Sequence, residues 1–102
     1  MMVNDSAFLD ALEREAAQVQ GRKPSWDVSF ERSPTDRPKT SAWVRIEAGT
    51  SRGQITVWSS GECDSEVVSD SGELDSTTLL ESPDDVVQVV TDWIAEMEKV
   101  SA

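Results

Sequence analysis

Histidine is absent from the chain's 102 residues, and cysteine occurs once. Without histidine, an imidazole general base, histidine-assisted serine or cysteine nucleophiles and histidine-containing zinc sites are all excluded. Cys63 alone cannot close a disulfide within the chain, and nothing calls for an oxidising compartment. It reads as a small buried hydrophobe in a strand. Positive charge is also scarce: nine Lys and Arg face twenty Asp and Glu, a formal charge of −11. Such a surface repels phosphate backbones and anionic membranes, which argues against both as ligands, and it steers encounter with a basic protein. Long apolar runs are missing, so no segment is long enough to cross a bilayer, and the start carries no basic region followed by an apolar stretch. A cytoplasmic protein is the expectation. Glycine is sparse as well, and Gly49 and Gly53 fall between strands without the Lys-Ser/Thr pair of a phosphate-binding loop.

The acids themselves carry little catalytic information, because among twenty of them many pairs reach hydrolytic distances by chance. Asp64, Glu66, Asp70 and Asp75 lack the ordered spacing of a calcium loop. We therefore expect no metal, no cofactor and no enzymatic activity.

What is present suits a folded protein. Hydrophobic residues make up 37% and charged residues 28%, and four tryptophans supply large apolar areas, which separates this chain from a disordered tail. The length allows one core of two packed layers, so residues 1–102 read as a single domain. Asn4, Asp5 and Ser6 can cap a first helix over about residues 5–20, with Phe8, Leu9, Leu12, Ala16 and Val19 at helical spacing until Gly21 and Pro24. Trp26, Val28 and Phe30 alternate with polar residues as a half-buried strand, and a polar loop runs from Ser33 to Pro38.

The next strand covers about residues 40–48, with Ala42, Val44, Ile46 and Ala48 on one side and Trp43, Arg45 and Glu47 on the other. After a turn over Gly49–Gly53 comes a strand in which Ile55 and Val57 alternate with Thr56 and Trp58. Side chains two apart share a face, so Trp58 points away from the aliphatic pair. Placing Val44 opposite Val57 and Ile46 opposite Ile55 sets Trp43 opposite Trp58 and Arg45 opposite Thr56. A three-residue loop at Ser60-Gly61-Glu62 would then bring Asp64 opposite Trp58 and Glu66 opposite Thr56. A turn at Asp70-Ser71-Gly72 follows, and Leu74 to Leu80 reads either as a fifth, edge strand or as an irregular connection.

Ser82-Pro83-Asp84-Asp85 starts the C-terminal helix, with Ser at the N-cap, Pro at the first helical position and carboxylates at the positive end of the dipole. Val86, Val87, Val90, Trp93, Ile94, Met97 and Val100 give it a broad apolar stripe. The order is helix, antiparallel sheet of four or five strands, helix. Two helices with one apolar side each, and a sheet with one aliphatic face, close most simply as a two-layer α+β sandwich with both helices on one sheet face. Trp26 and Trp93 then belong to the core, and the other sheet face bears Trp43 and Trp58. These two tryptophans, bordered by Arg45, Glu47, Asp64 and Glu66, form a candidate partner-binding surface with an aromatic centre and a charged rim. The alternatives are that the tryptophans merely stack on one another or that the loop of residues 33–39 covers them.

The segment from Gly53 to Val67 (GQITVWSSGECDSEV), with the acidic turn after it and the helix that carries Trp93, resembles the TriTu immunity proteins of bacterial polymorphic toxin systems. The similarity is clearest over about residues 40–70, where Trp43 and Trp58 match the tryptophan-bearing strand pair. It implies a cytoplasmic protein that binds and neutralises a cognate toxin domain. Charge favours a basic nuclease as that toxin, inhibited when an acidic face masks its active site. A secretion chaperone or adaptor for an exported effector, and an acidic DNA mimic, are the competing readings, and either a monomer or a homodimer fits the sequence.

Overall fold

The computed structural model describes residues 7–33 and 40–101. Helix α1 spans Ala7–Arg22, strands β1 to β5 span Asp27–Arg32, Ser41–Ala48, Ser51–Trp58, Glu62–Ser69 and Gly72–Leu79, and helix α2 spans Asp84–Ser101. The cap proposed at Asn4 to Ser6 and most of the loop after Ser33 lie outside the described residues. All five strands form one antiparallel sheet in the order β1-β2-β3-β4-β5. Each strand is joined to the next without a crossover, as short connections between sequential strands dictate.

Both helices lie on the same face. Helix α1 contacts β1, β2 and β3, while α2 contacts β3 and β4. Leu9, Leu12 and Val19 of α1 and Val86, Val90, Trp93 and Met97 of α2 meet Ala42, Val44, Ile46, Ile55, Val57, Cys63 and Val67 of the sheet. Val87, expected on the apolar stripe of α2, is instead exposed. Trp26 packs at the margin of the core, where its carbonyl accepts a bond from Gln20 and its ring lies 5.2 Å from the ammonium of Lys23. Lys23 also reaches Glu98 at 2.6 Å, joining the ends of the two helices. On β1, Arg32 bonds Asp10 and Glu13 of α1 at 2.7 and 2.8 Å, and these carboxylates hold its pKa above the ordinary value.

The start of α2 follows its sequence signature. The Asp85 carboxylate accepts from the N–H of Glu81 and of Ser82, satisfying the N-cap backbone in the manner of a capping box. At the other end, the buried Ser51 hydroxyl donates to the carbonyl of Val100.

The sheet register differs from the sequence expectation by two residues. In β2 and β3, Val44 faces Ile55, Ile46 faces Gly53, Trp43 faces Thr56 and Ser41 faces Trp58. The connection is a two-residue turn, Gly49-Thr50, closing on the Ala48 and Ser51 pair, and Gly49 at φ 64° supplies the positive dihedral that the first central position of a type II′ turn requires. Ser51, Arg52 and Gly53, expected in the loop, belong to β3.

Gly53 has a different task from Gly49. A Cβ built on it would sit 2.8 Å from Met97 Sδ and 3.1 Å from both Trp93 Cζ2 and the Glu66 carbonyl oxygen, so its missing side chain lets α2 approach the sheet. The second hairpin is displaced in the same way. Its loop is Ser59-Ser60-Gly61, with Gly61 at φ 103° and its N–H bonded to the Trp58 carbonyl, so Thr56 faces Asp64 and Gln54 faces Glu66. Both displacements are even, so every side chain keeps the face assigned from the sequence.

Candidate functional site: the open face of the sheet

With both helices on one side, the other side of the sheet presents four cross-strand rows. One row runs Asp27, Glu47, Arg52, Val68, Glu73, and the next runs Ser29, Arg45, Gln54, Glu66, Asp75. The third runs Glu31, Trp43, Thr56, Asp64, Thr77, and the fourth pairs Ser41 with Trp58 and Glu62 with Leu79. All six residues proposed from the sequence, Trp43, Arg45, Glu47, Trp58, Asp64 and Glu66, lie on this face.

Their mutual arrangement is not the one expected. Trp43 and Trp58 are diagonal neighbours, two residues apart in register, and both are half-buried. The Trp43 indole N–H donates to Glu31 Oε2 at 3.2 Å, so a carboxylate of β1 orients that ring. Asp64 lies opposite Thr56 rather than beside Trp58. Arg45 donates through Nε to Gln54 Oε1 at 2.8 Å, and Gln54 Nε2 donates to Thr56 Oγ1 at 3.1 Å, which fixes a polar chain along the middle of the face. Beyond it lies a shallow depression of about 420 Å³ whose open-face side chains are Gln54, Thr56, Asp64, Glu66, Asp75 and Thr77. The short side chains of Thr56, Asp64 and Thr77 follow the large ring of Trp43 in one row, and that step in size makes the hollow.

The charge on this face is one-sided. Among the described residues it carries eight carboxylates (Asp27, Glu31, Glu47, Glu62, Asp64, Glu66, Glu73 and Asp75) and two guanidiniums (Arg45 and Arg52). Both cations sit on β2 and β3, and the segment from Glu62 to Leu79, which forms β4 and β5, contains no Lys or Arg. Asp75 and Thr77 join the site because the segment from Leu74 is a strand. Alternation of Glu73, Asp75 and Thr77 with Leu74, Ser76 and Thr78 is the signal for it, weakened by the lack of an apolar side.

Asp64, Glu66 and Asp75 are spread over two strands and Asp70 sits in the turn between them, and among the described residues no three Asp, Glu or Cys side chains are grouped to hold an ion. Cys63 lies on the helix side, 1% exposed, its thiol pushed up to about 12 by burial and, to a smaller degree, by the charge of Asp64. A thiol so far from ionisation is a poor nucleophile.

No helix among the described residues is long and apolar enough to cross a membrane. No curated protein and no solved structure matches the chain. A family model described as immunity protein TriTu matches residues 6–96, which takes in all five strands and therefore the whole open face. The chain belongs to the TriTu family of immunity proteins.

Proposed function

We propose that this immunity protein neutralises a cognate toxin by seating the open face of its sheet on the toxin and masking the active site there. The observation that carries the reading is the composition of that face among the described residues: two half-buried tryptophans with eight carboxylates and two guanidiniums on a side that neither helix covers. Aromatic rings supply a dry centre and the surrounding charges supply steering and register. The acidity favours a toxin of positive potential, and nucleases are the simplest such class because they bind phosphates. Inhibition is steric and electrostatic, requiring no cofactor and no turnover by this chain, which acts as one domain in the cytoplasm.

The test is co-purification of the chain with the toxin domain encoded beside its gene, together with protection of cells that express that toxin. Trp58→Ala should weaken the complex by more than about 2 kcal/mol, the hot-spot threshold, while the domain stays folded. Unchanged affinity would remove Trp58 from the interface, and failure of the unaltered chain to bind or protect would sink the reading.

A further inference from the structure

The two edges of the sheet are treated differently. The β1 edge is tied to α1 through Arg32, Asp10 and Glu13. Among the described residues the β5 edge has no such tie: every residue of Gly72–Leu79 is exposed, with Leu74 at 51% and Leu79 at 69%. Long exposed edges are normally guarded by charged side chains (lysine above all), a proline, a bulge or an inward-pointing charge, and the charges of β5, Glu73 and Asp75, guard it against an acidic strand but not against a basic one. Strand β5 has neither Lys nor Pro, and its pairing with β4 runs unbroken from Ser69 and Gly72 to Glu62 and Leu79. Its helix-side residues, Leu74, Ser76 and Thr78, include no charge.

The hydrogen-bonding phase of this edge follows from one bond. The Leu80 N–H donates to the Gly61 carbonyl at 2.7 Å, and antiparallel bonding alternates from that pair along the strand. Even-numbered residues of β5 therefore turn their backbone groups to β4. Glu73, Asp75, Thr77 and Leu79 present theirs outward, in the spacing that an added strand needs.

We propose that β5 is a strand-addition site for an extended segment of the toxin, one that is basic on the residues continuing the open face and apolar or small on the alternate residues. This rests on the toxin-binding reading above. Charge selects the occupant. An incoming strand would lie beside Glu73 and Asp75 with Asp64 and Glu66 one strand further in, and β4 and β5 offer those acids no Lys or Arg. A second copy of this chain, pairing β5 with β5, would instead bring two such cation-free acidic strands together, which cross-strand electrostatics disfavours. On the helix side, Leu74 would gain an apolar neighbour.

The experiment is amide hydrogen exchange on the chain alone and on its complex with the toxin domain encoded beside its gene, with Thr77→Pro, Thr77→Ala and Trp58→Ala in parallel. Strand addition should slow exchange at Glu73, Asp75, Thr77 and Leu79 on complex formation, in alternation with little change at Ser76 and Thr78. Thr77→Pro removes one outward N–H without touching the β4 ladder, and should weaken the complex at least about tenfold more than Thr77→Ala, which removes the same side chain and keeps that N–H; equal weakening by the two would overturn the strand addition. A toxin that binds and responds to Trp58→Ala while these four amides stay fast would overturn the strand addition and leave the face reading intact. Concentration-dependent protection of the same amides in the chain alone would assign the edge to self-pairing and overturn it too. A toxin that does not bind at all would overturn both.

Discussion

The same five strands make two unlike surfaces. On the helix side, the alternate residues of β2, β3 and β4 are small or aliphatic, glycine replaces a side chain where α2 presses closest, and Trp93 is 4% exposed with its indole N–H satisfied by the Glu66 carbonyl at 3.0 Å. On the open side, acids are the commonest of the intervening residues, Trp43 and Trp58 are only half-buried, and Trp43 is oriented by a carboxylate side chain. The core tryptophan is held by a backbone carbonyl, and Trp43 by the side chain of Glu31. Tryptophan is thus fully packed on one face and only half-buried on the other.

The largest expected effect tests this division directly. Trp93→Ala should cost about 3–5 kcal/mol of stability, read by urea denaturation, because it opens a cavity between α2 and the sheet that neighbouring side chains fill only in part. Trp93→Phe keeps most of the volume and should cost less, chiefly the lost bond to Glu66. Trp58→Ala should show the reverse pattern, a small stability change with a large loss of toxin affinity. Equal stability losses at the two positions would erase the distinction between the faces.

Which residues share a face was legible in the sequence, and which residues pair was not, for a single reason. Face assignment depends on parity along a strand, and both hairpins are displaced by an even number, so Trp43, Trp58, Asp64 and Glu66 all stayed on the open side. Pairing depends on the turns, and the first contained two glycines with equal local claims. Gly49 makes the turn, while Gly53 is needed by Trp93 and Met97, some forty residues later in the chain. Local sequence holds no trace of that demand. The fifth strand was obscure because β5 buries nothing, so its alternation lacks the apolar phase by which strands are usually recognised.

An intermediate effect concerns Cys63, buried on the helix side next in sequence to Asp64 of the hollow. Its thiol ionises ordinarily near 9.0 and in the folded protein at about 12, so folding favours the neutral form. That contribution is whole below about pH 9 and is lost as pH rises toward 12, since the unfolded chain deprotonates first. The denaturation midpoint should therefore fall more steeply between pH 9 and 11 in the native chain than in Cys63→Ala, with a constant offset between them at pH 7 to 8. Parallel curves would show that water reaches the thiol and that the helix side is less dry than its packing indicates.

The smallest effect compares one unit of charge on each layer. Glu66→Gln neutralises an acid on the open face, and Asp92→Asn neutralises one on the exposed side of α2, where Gln88 bonds it at 2.9 Å and could bond the amide oxygen equally well. Both change the net charge identically, so any effect of overall charge on toxin association is common to the two. A face that meets the toxin places Glu66 within about one Debye length of the oncoming cations and leaves Asp92 a whole layer away, where salt screens it. Association rates measured by stopped flow at low salt should then fall a few-fold for Glu66→Gln and hardly at all for Asp92→Asn, with the difference shrinking as salt is raised. Equal slowing by both would mean that the acidity acts only as net charge, and the concentration of carboxylates on β4 and β5 would have no part in aiming the encounter.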